Sequence, residues 1–204
     1  MLLAALSLGV CCLSAAALFA GTWCTSRLGH WEYLAAASVL AVYGAVLLAR
    51  PSNLLLSDLV VILVAIFVGP ALARLLKGYA GLSSFCIAAA VADVVSYTGG
   101  LTAGLSKAFQ HRTSNLLQYL CLSLPVQGRM VLIVGIGDLL VLAAIYSALR
   151  RLGNTGVWAF SAPLAGLLLA VLVGLLAGGT FAIPFIAATT LVYAYYSVRR
   201  SEDA

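Results

Sequence analysis

The stretch Val134-Gly135-Ile136-Gly137-Asp138-Leu139-Leu140 places a carboxylate inside an apolar run that continues to Leu149. An aspartate at the centre of a membrane helix costs about 2.5–3.5 kcal/mol on insertion scales, so a buried acid in such a run predicts a functional site. A second apolar run, residues 87–95, carries Asp93 in the same way. The first question about this chain is therefore whether the two carboxylates meet.

The composition predicts a membrane protein. Of the 204 residues, 64% are hydrophobic and 8% are charged, which is far more apolar than a soluble domain. We therefore expect an all-α, polytopic membrane helix bundle with about seven transmembrane helices, each of roughly 20 residues. We divide it into an N-terminal three-helix part, 1–77, and a four-helix core, 78–204. The predicted helices cover 2–20, 31–49, 54–73, 79–99, 130–149, 157–178 and 181–198.

The basic residues of the loops predict an orientation. If the loops alternate between two membrane faces, face A holds the amino terminus and the loops 50–53, 100–129 and 179–180. It has four basic residues and face B has seven. Because cytoplasmic loops are enriched in Lys and Arg, a cytoplasmic carboxyl terminus is expected. The basic residues of face B are Arg27, Arg74, Lys77, Arg150, Arg151, Arg199 and Arg200.

Several function classes are disfavoured. No basic patch interleaved with aromatic residues is present, so nucleic acid is not an expected partner, whereas anionic lipid head groups suit the Arg150-Arg151 pair. The five cysteines form no paired framework, and His30 and His111 lie about eighty residues apart without acid or thiol neighbours at ligand spacing. We therefore expect no disulfide, no metal and no cofactor.

Helix geometry predicts that the two aspartates lie at similar depth. Asp93 lies six residues before Gly99, roughly 9 Å from face A, and Asp138 lies nine residues beyond Arg129, roughly 13 Å in. The two predicted helices run antiparallel and share one loop, so the carboxylates can form a pair.

Two further patterns lie near this predicted pair. Gly135 and Gly137 remove side chains beside Asp138, which lets another backbone approach, although glycine is also ordinary packing material in membrane helices. Pro184 opens the last helix on face A and frees backbone carbonyls near the pair. A proline in the first turn of a helix is also simply well tolerated.

Together these residues resemble the presenilin and signal-peptide-peptidase type of intramembrane aspartyl protease, in particular its short prokaryotic members. The resemblance covers about residues 79–200, and that family usually has nine helices. It is carried by Asp93 with the following Val94-Val95-Ser96-Tyr97-Thr98-Gly99-Gly100, by Gly135-Ile136-Gly137-Asp138, and by Ala182-Ile183-Pro184. Two positions depart from the family pattern: Ala92 replaces a tyrosine, whose place Tyr97 can take, and Phe181 replaces a proline.

The resemblance implies a multi-pass protein of a prokaryotic plasma membrane that cleaves peptide bonds in or near transmembrane helices. The catalytic residues would be Asp93 and Asp138. Supporting or substrate-binding positions would be Gly135, Gly137, Ala182, Ile183, Pro184 and Tyr97. Two adjacent carboxylates share one proton, so one can act as general base on a water while the other polarises the scissile carbonyl. Ser96, Tyr97 and Thr98 are expected to line a path for this water.

Other functions remain open on the sequence alone. Buried acids also mark ion pathways, so a small proton- or cation-coupled transporter using the same two aspartates is the alternative from another class. A prepilin-peptidase-like enzyme and a structural membrane subunit are further readings. Asp58, near the start of the third predicted helix, is expected to be structural, because a carboxylate there complements the helix dipole and can reach water.

Overall fold

The computed structural model describes residues 2–25, 31–49, 54–100, 102, 104–105, 116–126, 129–177 and 181–202. Within them the chain forms helices and one antiparallel hairpin. The elements are α1 (Leu2–Thr25), α2 (Trp31–Ala49), α3 (Leu54–Ala73), α4 (Gly78–Thr98), α5 (Leu117–Leu120), β1 (Cys121–Val126), β2 (Arg129–Gly135), α6 (Ile136–Arg151), α7 (Val157–Ala177) and α8 (Ile183–Glu202).

The helices confirm a bundle that is suited to a membrane. In the described part, five helices are long and apolar enough to cross a bilayer: α1, α2, α3, α4 and α7. The predicted count of seven is not confirmed. The helix α6 has 16 residues, or about 24 Å, which is less than the roughly 30 Å of hydrocarbon. The helix α8 ends in the polar sequence Arg199-Arg200-Ser201-Glu202.

The hairpin corrects one predicted element. A helix is predicted over 130–149, but Met130 to Gly135 belong to β2, and α6 begins only at Ile136. A continuous apolar run does not distinguish a buried strand from a buried helix, and the β-branched Val131, Ile133 and Val134 favour the strand. Asp138 is therefore the third residue of a helix, and not a residue deep within one.

The helix α6 lies at the centre of the bundle. Leu139 and every residue from Val141 to Leu149 are buried, and α1, α3, α7 and α8 all pack against this helix. The closest crossing is at Gly69 of α3, where an added Cβ would lie 2.5 Å from the Ala143 Cβ. Because α1 and α3 share this core with the later helices, both predicted parts surround one helix, and the division near residue 77 stays a prediction.

One end of the bundle gathers the helix termini that loop alternation assigns to face B. Glu32, at the start of α2, is fully buried and forms ion pairs with Arg74 and Arg151, at the ends of α3 and α6. The Arg150 guanidinium lies 4.9 Å from the ring centroid of Trp23, at the end of α1. These contacts place the hairpin and the starts of α6 and α8 at the opposite end.

Candidate active site

Asp93 is bonded to the start of α8. It lies in α4, five residues before the end of that helix, and its Oδ2 accepts the Ile183 N–H at 3.2 Å. The amides of Phe185 and Ile186 donate to the Ala182 carbonyl, so Ile183 has one of the first-turn amides that find no partner within a helix. Pro184 has no N–H at all. The Ala182–Ile183–Pro184 segment is thus attached to Asp93 through the Ile183 N–H.

Asp138 is bonded to the start of its own helix. Its Oδ2 accepts the Gly135 N–H at 3.1 Å, and Gly135 is the N-cap of α6. This is one half of a capping box, and an acid in the first turn also complements the positive end of the helix dipole. The bond by itself is an ordinary cap. What distinguishes Asp138 from a structural cap is what lies around it.

The two aspartates lie on neighbouring helices. The helices α4, α6 and α8 are in mutual contact, and Asp138 lies within electrostatic range of Asp93. Each carboxylate also accepts a backbone amide at a helix start, so the positive ends of α6 and α8 both face the pair. That Asp93 and Asp138 meet stays a prediction, whereas the predicted depth of Asp138 within a helix is wrong.

A cavity of about 290 Å³ opens beside Asp138. Its lining includes Ala182 from the α8 start, Ser7 from α1 and residues 131–134 of β2, together with one side of α7. Its volume is many times what one water molecule needs. Successive side chains of a strand point to opposite faces, so four consecutive β2 residues can share this cavity only where it runs along the strand edge. Among the described residues, β2 pairs with β1 alone.

The remaining predicted residues are distributed around this site. Gly137 is exposed, and a Cβ added there would meet nothing within 4 Å, so space remains open beside Asp138. Tyr97 packs edge-to-face on Phe181, with ring centroids 5.7 Å apart. This contact lies just before Ala182, but Tyr97 does not line the cavity at Asp138.

The predicted water path along the end of α4 has partners within the protein. The Ser96 and Thr102 hydroxyls lie 2.7 Å apart, and the Thr98 hydroxyl donates to the Val94 carbonyl at 2.8 Å. These hydrogen bonds stabilise the end of α4. The cavity beside Asp138 is the space in which we expect water near the two aspartates.

Three residues of the described structure were given no part in the site by the sequence. Ser7 lines the cavity although α1 lies outside the region of resemblance. Glu32 connects three helix ends. Asp58, expected to be a helix-start acid, also accepts the Ser123 N–H at 3.3 Å. A serine or an acid in an apolar helix gives no sign of a partner distant in sequence.

In the part of the chain that the structure describes, no three His, Cys, Asp or Glu side chains lie together as a metal would require. His30 and His111 lie outside the described residues.

Comparisons of the chain with protein-family models, with curated proteins and with solved structures give no significant match. The resemblance to intramembrane aspartyl proteases therefore depends on the residues quoted for it alone.

Proposed function

We propose that this chain is an intramembrane aspartyl endopeptidase, in which Asp93 and Asp138 hydrolyse peptide bonds in or near transmembrane helices. The observation that carries the proposal is the connection of three separate elements. Asp93 accepts the Ile183 amide, Ala182 and Asp138 line one cavity, and the helices α4 and α6, which carry the two carboxylates, are in contact. An ordinary helix cap would satisfy Asp138 without a cavity beside it that is also lined by Ala182, next to the residue that Asp93 binds.

The proposed chemistry uses one proton shared between the two carboxyl groups. The ionised aspartate removes a proton from a water as its oxygen attacks the scissile carbonyl, and the protonated aspartate donates a hydrogen bond to the carbonyl oxygen. In this step the protonated aspartate transfers its proton to the carbonyl oxygen, which gives a neutral gem-diol. As the gem-diol collapses and the C–N bond breaks, that aspartate takes back a hydroxyl proton. The other aspartate gives the proton that it took from water to the leaving nitrogen, which restores the starting pair. The new carboxyl product carries the hydroxyl of the water and the new amine carries its hydrogen. The reaction therefore requires no metal and no covalent intermediate.

The proposed substrates are membrane proteins with a transmembrane helix, in contact with the surrounding lipid. Within a bilayer a helix hides its peptide bonds, so a substrate must unwind locally and its freed backbone groups need partners. Among the described residues no strand pairs with the second edge of β2. This edge supports strand addition as the means of binding, because it runs along the cavity and leads into Gly135. The open space beside Gly137 would admit the substrate backbone.

The test is cleavage of a panel of single transmembrane-helix peptides by the purified protein in detergent and in lipid. Asp93→Asn and Asp138→Asn should each reduce cleavage by at least about 100-fold, the size of a general acid–base contribution. Residues that act as a unit are non-additive, so the double variant should be no slower than either single variant. An aspartyl transition-state inhibitor should block the wild type. Elution and unfolding must match the wild type, and an active single variant would refute the proposal.

A proton- or cation-coupled transporter is the competing function, and one observation favours it. Asp58 is a third acid at the same end of the bundle, beside its own cavity, as a chain of ionisable groups along an ion pathway would require. Proton flux into liposomes distinguishes the two functions. Flux that disappears in Asp93→Asn and Asp138→Asn, without any peptide cleavage, would replace the protease by a transporter.

A further inference from the structure

The β1–β2 hairpin contacts α3 through Asp58. The Asp58 Oδ1 accepts the Ser123 N–H at 3.3 Å, although 65 residues separate the two along the chain. Both residues line a second cavity, of about 320 Å³, between α1 and α3. Asp58 is half-buried there, in a helix that is long and apolar enough to cross a membrane.

This bond lies at an irregular point of the hairpin. The β1–β2 register is irregular between Leu122 and Ser123, and an irregularity of this kind disrupts the ladder and leaves backbone groups that need other partners. Away from water an unpaired backbone N–H is unfavourable. Hydrogen bonds to charged groups are also the stronger ones. Asp58 thus satisfies a backbone group at the irregular point of the strand.

The bond lies only a few residues from the candidate dyad. Cys121, two residues before Ser123, is opposite Gly135 in the hairpin register, and the Gly135 N–H is the donor to Asp138. Displacement of β1 would therefore move β2, the N-cap of α6 and the strand edge that faces the cavity.

We propose that Asp58 is a positioning residue, which holds the hairpin against α3 and so fixes the start of α6 and the edge of β2 beside Asp138. Its effect on cleavage depends on the function proposed above, whereas the tether itself can be measured without any activity. Asp58 acts on the reaction only through the hairpin.

Two substitutions separate the hydrogen bond from the shape of the side chain. Asp58→Leu removes the acceptor but keeps a side chain that branches at the same carbon, and Asp58→Asn keeps an acceptor oxygen. Since a displacement of about 1 Å can cost 100-fold in rate, Asp58→Leu should reduce kcat/KM by about 10- to 100-fold, and Asp58→Asn should stay within about threefold of the wild type. Ser57→Ala is the matched control, because it removes a buried hydroxyl from the same helix that has no partner among the described residues.

Hydrogen exchange measured by mass spectrometry tests the tether directly. Asp58→Leu should speed exchange in peptides covering 117–135 by at least about tenfold, while peptides from α7 and α8 keep the wild-type rate. If Asp58→Leu does not fold, Ser123→Pro removes the donor instead and should have the same local effect. Wild-type exchange over 117–135 in a variant that lacks the bond would overturn the proposal, as would equal loss of cleavage in Asp58→Asn and Asp58→Leu.

The two proposals fail in different ways. If the wild type cleaves no peptide, the protease function fails and the exchange rates alone decide the tether. If the wild type cleaves and Asp58→Leu matches it in both rate and exchange, only the positioning role fails.

Discussion

Replacement of Gly166 by alanine tests whether the α7–α8 contact sets the geometry of the site. A Cβ at this position would lie 2.5 Å from the Thr189 Oγ1, and 2.6 Å from both the Ile186 Cα and the Phe185 carbonyl oxygen. Ordinary carbon contacts are about 3.5–4.0 Å, so α8 must move away by roughly 1 Å. Two of the three neighbours are backbone atoms of α8, and a change of side-chain rotamer does not relieve them.

The displaced segment begins beside the residue that Asp93 holds. Overpacking of this kind costs about 1–3 kcal/mol of stability, and a shift of about 1 Å at the start of α8 should slow cleavage by up to about 100-fold. Gly166→Ala should therefore lower both the thermal unfolding midpoint in detergent and the cleavage rate. Gly44→Ala is the control, because an added Cβ there meets nothing within 4 Å.

Two results would refute this reasoning in distinct ways. Wild-type stability and rate in Gly166→Ala would mean that α7 and α8 do not cross as closely as described. Lower stability with an unchanged cleavage rate would mean that α8 bends between the contact with residue 166 and its start, so that Ile183 does not move.

Three further predictions concern contacts away from the hairpin. Arg74→Met leaves the buried Glu32 carboxylate with its 3.6 Å ion pair to Arg151. The substitution should lower the free energy of unfolding in SDS by about 3–5 kcal/mol. This loss should be larger than that of the variant in which both Glu32 and Arg74 are replaced by methionine. Tyr97→Ala removes the ring contact with Phe181 and should slow cleavage by up to about tenfold. Tyr97→Phe keeps the ring and should cleave at the wild-type rate. Equal losses of rate in the two variants would assign the effect to the hydroxyl. Asn154→Ala removes hydrogen bonds of 2.7 and 3.1 Å to tyrosines of α4 and α8 and should lower the unfolding free energy by about 1–3 kcal/mol without changing the cleaved bond.

The membrane helices could be predicted where polar loops bound an apolar run. Residues 31–49 and 54–73 are predicted as helices, and α2 and α3 have these same bounds. The prediction fails over 130–135 because the apolar run continues without a break from β2 into α6. Hydrophobicity reports burial there, but the choice of strand depends on pairing with β1.

The site could be predicted only in part for a related reason. The sequence places Asp93 and the start of α8 on one face of the membrane, and this agrees with their hydrogen bond. It does not predict that Asp58 reaches Ser123 or that Ser7 reaches the cavity, because each depends on how distant segments pack. The catalytic roles of Asp93 and Asp138 stay predictions until cleavage is measured.

The helices α4 and α6, which carry the two aspartates, differ in how many of their residues are buried. The helix α6 is enclosed by protein and fixed at its far end by the Glu32 ion pairs, whereas α4 buries only Leu82 and Cys86. For a lipid-facing helix, contact with hydrocarbon replaces contact with protein at little cost in hydrophobic free energy. Asp138 thus lies on a helix that is enclosed by protein, whereas Asp93 lies on a helix with little buried surface and is joined to the start of α8 by its hydrogen bond to Ile183.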